Sequence, residues 1–147
     1  MFRGRYETTM DDKGRTSLPS RFREILTTLG DDRLVVTTGL DPCLVAYPFG
    51  EWRAFEQRLA AKPSFDPSVI LLKRVYVASA VECSVDGHGR ILVPPPLRGY
   101  AGLGKQIVWG GMVGYVEIWD AGRFADVFAA AQREATGLHR ALADLGL

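Results

Sequence analysis

Histidine and cysteine are scarce in this chain, with two of each among 147 residues. Cys43 and Cys83 stand far apart, without metal-ligand spacing, and are expected to be free, partly buried thiols rather than a disulfide. His88 and His139 have no Ser, Cys or carboxylate constellation around them in sequence, and no phosphate-loop or metal motif appears. These gaps argue against an enzyme and leave no expected cofactor, metal or small-molecule substrate. No apolar run approaches a membrane span, and Met1-Phe2-Arg3-Gly4-Arg5-Tyr6 has no apolar stretch behind its charges, so neither a membrane segment nor a secretory leader is expected. The expected address is the cytoplasm. Charge of one sign is also lacking: the net charge is only +1, which taken alone weighs against a nucleic-acid partner.

What is present is a duplication. Asp11-Asp12-Lys13-Gly14-Arg15 leads into Thr16-Ser17-Leu18-Pro19 and Phe22-Arg23. Asp86-Gly87-His88-Gly89-Arg90 leads into Ile91-Leu92-Val93-Pro94 and Leu97-Arg98. Asp, Gly, Arg, Pro and the final Arg all recur at an offset of 75, and Cys43–Tyr47 recurs as Tyr115–Trp119 at an offset of 72. The difference falls around Gly30-Asp31-Asp32, a loop where a length change costs little. A long-period repeat of this kind describes two copies of one supersecondary module. The charge is unevenly spread as well. Residues 1–23 hold six basic and three acidic side chains, and the remainder is slightly acidic. Such a cluster is either an anion-binding surface or a solvated charged face.

Each copy reads as strand, turn, strand, helix, strand, strand, helix. Gly14 and Gly89 supply the positive φ that a tight turn needs, and Asp11 and Asp86 either cap turn amides or pair with Arg15 and Arg90. Pro19 is expected at the first position of a helix carrying Phe22, Ile25, Leu26 and Leu29 at i, i+3, i+4 and i+7. A second helix is expected to carry Trp52, Phe55 and Leu59 on one face, with further helices over Pro94–Tyr100, after Asp66-Pro67 and from Asp120 to about Ala135. Tyr47, Trp52, Trp109, Tyr115 and Trp119 fit core positions better than base-stacking ones. About four short strands per copy are too few to bury a core alone, so the fold class is α+β, with the two halves completing one another as a pseudo-symmetric dimer around a barrel-like core.

These residues resemble the MraZ family. The resemblance runs through Met1-Phe2-Arg3-Gly4, Asp11–Arg23, Ala46-Tyr47-Pro48, Ala80–Cys83, Asp86–Arg90, Leu97-Arg98, Tyr100–Leu103 and Glu117–Asp120, in order over residues 1 to about 130. It implies a transcriptional regulator of the division and cell-wall gene cluster that represses its own operon. It further implies two SpoVT-AbrB-type domains of the swapped-hairpin kind, a ring-shaped homo-oligomer, and binding to tandem repeats in double-stranded promoter DNA, hence a nucleoid association. The implied division is a first domain at 5–50, linking helices at 51–78, a second domain at 79–122, and a C-terminal helix and tail at 123–147. Residues 136–147 match nothing specific.

By that resemblance the two Asp-x-x-x-Arg turns face DNA. Arg15 and Arg90 are expected to fork onto phosphate oxygens or onto guanine O6 and N7. Lys13, Arg3 and Arg5 would add phosphate contacts. His88 replaces Lys13 in the second copy, as either a phosphate-contacting, pH-sensitive group or a polar turn residue. Asp11, Gly14, Asp86 and Gly89 are expected to hold the turns. Two rival readings stay open: an antitoxin-like, partner-binding module, and a purely structural ring in which each Asp–Arg pair merely pins its hairpin.

Overall fold

A computed structural model describes residues 1–147. The two strands flanking each duplicated turn do not zip together as hairpins. β1 (Arg5–Thr9) and β2 (Arg15–Ser17) form no ladder: an isolated bridge joins Met10, just past β1, to Thr16, and the Thr8 and Thr16 hydroxyls hydrogen-bond at 3.0 Å. β1 pairs with β7 (Gln106–Gly111) of the second copy. Its repeat equivalent, β5 (Val81–Ser84), pairs with β3 (Arg33–Thr38) of the first. β2 pairs with β6 (Arg90–Leu92). β3 also pairs with β4 (Leu44–Pro48), and β7 with β8 (Val116–Asp120). β4 and β8 join the copies through Leu44–Ile118, Val45–Glu117 and Ala46–Val116.

A local two-fold relates these pairings. It passes through the Val45–Glu117 pair in one ladder and the Thr16–Ile91 pair in the other, since each ladder repeats itself about those centres. The result is a six-stranded antiparallel sheet in the order β1-β7-β8-β4-β3-β5, with β2-β6 as a separate two-stranded ribbon. The barrel expectation is not met. Strands of three residues are satisfied by pairing with each other, so β1 and β5 remain the edges of an open sheet.

The helix that follows each short ribbon strand contributes side chains to the core shared by both copies. α1 (Ser20–Leu29) follows Pro19, which sits just before the first helical residue rather than in it. The helix stops at Gly30, whose φ of 76° is the left-handed conformation that glycine adopts without a Cβ clash. Phe22 and Leu26 are fully buried, but Leu29 is 56% exposed, so the buried stripe is narrower than the periodicity predicts. In the second copy Pro95 does begin a helix, α4 (Pro95–Ala101), which buries Leu97 and Ala101. One cluster of 18 buried side chains draws on both copies, with Phe22, Leu26, Ile91, Val93, Leu97, Ile107, Trp109 and Ile118 in contact. Trp52, Trp109 and Trp119 are buried as core positions, whereas Tyr47 and Tyr115 are half-buried and stack on each other at 4.9 Å.

α2 (Phe49–Ala60) buries Trp52 and Leu59. α3 (Pro67–Leu72), capped by the Asp66 carboxylate on the Ser68 amide at 2.8 Å, runs into a wider π-helical turn at Lys73–Val77. That turn is tied to β3, because the Thr37 and Thr38 hydroxyls donate to the Tyr76 and Val75 carbonyls at 2.6 and 2.8 Å. The C-terminal region forms two helices where one was expected, α5 (Ala121–Arg133) and α6 (Ala135–Asp144). Cys43 and Cys83 are both free and buried. No helix is long and apolar enough to cross a membrane.

Candidate nucleic-acid interface

The duplicated turns are built alike, atom for atom. In the first, the Asp11 amide donates to the Arg15 carbonyl at 2.9 Å and the Gly14 amide to the Asp11 carbonyl at 3.0 Å. In the second, Asp86 and Arg90 are 2.8 Å apart and Gly89 and Asp86 3.0 Å apart in the same bonds. Gly14 and Gly89 have φ of 89° and 75°, a conformation that strains any residue with a Cβ.

The two aspartates do two jobs each. Asp11 Oδ1 accepts from the Lys13 and Arg15 amides at 3.0 and 2.8 Å, while its Oδ2 accepts from Arg15 Nε at 2.6 Å. Asp86 Oδ1 accepts from the His88 and Arg90 amides at 2.8 and 2.9 Å, and its Oδ2 from Arg90 Nε at 3.1 Å. These donors hold both carboxyls below the ordinary carboxylate range, with the arginine amide the largest cause in each. The alternatives of turn cap and arginine partner are therefore combined in one side chain. Each arginine is gripped only at Nε. Its Nη groups have no protein partner, leaving a charged two-pronged donor for an anion.

The ribbon decides where these forks point. Arg15 lies opposite Leu92, Thr16 opposite Ile91 and Ser17 opposite Arg90. Directly paired residues share a face and successive residues alternate. Thr16 and Ile91 are buried, so Arg15, Ser17, Arg90 and Leu92 share the outer face. The arginine side chains are 37% and 31% exposed. Two arginines 75 residues apart thus stand at opposite corners of one three-residue ladder. Lys13 and His88 are exposed at the turns beside them.

Arg3 and Arg5 lie elsewhere. They are at or before the start of β1, six or more residues of near-extended chain from the Asp11 turn, roughly 20 Å. The Arg5 guanidinium sits 4.9 Å from the Phe128 ring centre and 5.3 Å from that of Phe124, in cation–π contact with α5. The structure does not gather these two side chains with the turn residues.

Two further arginines do belong to the turns. Arg98 of α4 lies against Gly14, so that a Cβ there would come within 2.7 Å of its Nε, and Arg23 of α1 lies in the same way against Gly89. Each arginine therefore comes from the other copy. The copies also exchange backbone bonds at these points, Leu18 amide to Gly89 carbonyl and Val93 amide to Gly14 carbonyl, both 2.9 Å. The recurrence of Arg23 as Arg98 is visible in the sequence; their crossed placement is not. Flanking the turns are two equivalent clefts of about 660 and 620 Å³, the first bordered by Asp11 and Arg98, the second by Asp86 and Arg23.

The fold and site define a class: a single-chain pseudo-dimer, α+β, that displays two arginine-bearing turns on one short ribbon. Residues 1–75 and 77–144 match the family described as "MraZ protein, putative antitoxin-like". A protein of Thioalkalivibrio sulfidiphilus named Transcriptional regulator MraZ is 48% identical over 120 residues, covering 82% of this chain and 80% of the relative. Its namesake from Desulfitobacterium hafniense is 40% identical over 147 residues, the whole of both chains. Another from Limosilactobacillus fermentum is 44% identical over 89% of each. The chain belongs to the MraZ family.

Proposed function

We propose that this chain is a DNA-binding transcriptional regulator that uses Arg15 and Arg90 to engage the major groove of promoter DNA. The observation that carries the reading is the shared outer face of the β2-β6 ribbon, from which both Nη forks project unpartnered. A two-stranded ribbon is an element the major groove admits, and an arginine fork suits guanine O6 and N7 or a phosphate. The relatives' common name, transcriptional regulator, supports the same role. Asp11, Gly14, Asp86 and Gly89 set the turns, and Lys13 and His88 contact phosphates beside them. Arg3 and Arg5 reach a phosphate only on DNA that extends past the far end of β1.

With a net charge of +1, one subunit neutralises few phosphates and binds weakly. We therefore include assembly in the proposal: a homo-oligomeric ring presents many identical ribbons to evenly spaced promoter repeats and converts weak contacts into avidity. Apolar side chains left exposed on α3, α5 and α6, among them Leu71, Phe128, Leu138 and Leu142, are suited to contacts between subunits. The two copies serve as SpoVT-AbrB-type units of swapped-hairpin kind at 5–50 and 79–122. The protein acts in the cytoplasm on the nucleoid, repressing its own operon and the division and cell-wall cluster.

The family description also favours a second reading, an antitoxin-like module that covers a partner protein with α5 and α6. One experiment separates the two. A labelled fragment from upstream of the protein's own gene is compared with scrambled DNA at two salt concentrations. The regulator reading expects tight, repeat-dependent, salt-sensitive binding that falls about tenfold or more in Arg15→Ala and in Arg90→Ala. Equal weak binding to both fragments would leave the partner-binding module or a structural ring as the better account.

A further inference from the structure

We propose that Arg98 and Arg23 are positioning residues acting crosswise: Arg98 of the second copy sets the Arg15 turn, and Arg23 of the first sets the Arg90 turn. The inference rests on the DNA-binding reading of those turns but is carried by a separate observation, the contact of each arginine with the glycine at the other copy's turn. Only a glycine leaves room for that contact. Gly14 packs against Arg98 and the Val93 carbonyl, and a Cβ would meet both at 2.7 Å; a Cβ on Gly89 would meet the Arg23 guanidinium. A positive φ and the Val93 carbonyl both require glycine at position 14, whereas at position 89 the positive φ requires it and the close neighbour is the Arg23 side chain alone.

Neither arginine is an ordinary salt-bridge staple. The ion pairs of the molecule involve Arg15, Arg21, Arg33 and Arg90, never Arg23 or Arg98. Arg98 Nε is buried and has no hydrogen-bond partner within the protein. A buried donor left unsatisfied is costly, so this side chain is not placed to optimise its own polar contacts. What it does have is position. It fills the space behind the turn whose carbonyl is already fastened to the Val93 amide, four residues before α4 reaches Leu97 in the core. The turn is clamped between its own Asp11 and the other copy's helix. Arg23 repeats the arrangement on α1, which is anchored by Phe22. The unneutralised guanidinium also adds positive potential under each tip.

The crossed connection makes an unusual prediction about coupling between variants of the full-length protein on the labelled upstream fragment. Arg98→Ala weakens binding on the order of fivefold, as expected for a residue acting through its neighbour. In an Arg15→Ala background, Arg98→Ala then has little further effect, because the side chain it positions is gone. In an Arg90→Ala background its effect multiplies in full. Arg23→Ala shows the reverse pattern, silent behind Arg90→Ala and additive with Arg15→Ala. Full additivity in both backgrounds, with a shallower salt dependence, would mean that Arg98 contacts a phosphate itself and would overturn the proposal. Equal losses in both backgrounds that track a fall in melting temperature would overturn it in favour of general stability.

Amide NMR on the free protein decides the brace without DNA. Arg98→Lys, which keeps the charge and the aliphatic stem, should move the Gly14 and Arg15 signals and leave Gly89 and Arg90 in place. Uniform shifts at both turns, or none at either, would refute crossed positioning. Should the wild-type protein fail to bind the fragment, the DNA-binding reading fails while this measurement still reports on the brace.

Discussion

At the scale of single residues, the turn aspartates combine two roles that separate chemically. One oxygen of Asp11 holds backbone amides and the other holds Arg15. Asn in place of Asp keeps an amide-capping oxygen but presents an NH₂ that cannot accept from Nε. Asp11→Asn should therefore leave the turn folded and free the arginine, weakening DNA binding less than Arg15→Ala does. Acid does the same to both turns. A carboxyl whose native value is depressed contributes stability that is fully present above the ordinary carboxylate value near 4 and is lost as pH falls through the lowered native value. The Arg15 and Arg90 amide signals are expected to stay constant from neutral pH down to about 4 and to titrate only below it. A transition centred between pH 5 and 7 would show that these carboxyls are not the groups holding the turns.

At the scale of elements, residues 67–77 are held by hydroxyls rather than by apolar burial. Among their side chains only Val69 of α3 is buried, and the π-helical turn after it buries none. Instead the fully buried Thr37 of β3 donates to the Tyr76 carbonyl, with Thr38 doing the same for Val75. Thr37→Val keeps the shape and leaves that carbonyl without its donor, so urea denaturation should show a loss of about 1–3 kcal/mol, with Thr37→Ser close to wild type. An unchanged midpoint in Thr37→Val would mean that the segment is held by its apolar contacts after all. Helix expectations elsewhere depended on what each apolar stripe could reach. Phe22 and Leu26 face the shared core, whereas Leu29, one turn further on, reaches only solvent beside the Gly30 cap.

At the scale of the molecule, four of the six strand ladders join one copy to the other, β1-β7, β3-β5, β2-β6 and β4-β8. Half a chain would lack the partners for most of its strands. A fragment of residues 1–62 is expected to be unfolded when dilute, or to fold only as a homodimer in which a second copy of the fragment supplies the missing strands. Sedimentation equilibrium with circular dichroism checks this, and a folded monomeric half would contradict the interlocked architecture. The 18-residue core is likewise assembled from both halves.

The duplication, the positive-φ glycines, the Asp-to-Arg spacing and most strand and helix positions are local properties, set by composition, turn chemistry and periodicity within a few residues. They were legible in the chain for that reason, and so was the pairing of the halves, because neither has enough strands to bury a core by itself. The crossed partners were not. Register between strands 75 residues apart depends on which faces find a core once the halves meet, and no local pattern encodes that. Tertiary structure alone opened the sheet instead of closing a barrel, turned Arg15 and Arg90 to one face, drew Arg5 onto Phe124 and Phe128, and set Arg98 and Arg23 behind each other's turns. The physical reason is common to all four. Short β-strands take their energy from distant partners, so the choice of partner belongs to the packed whole rather than to the segment.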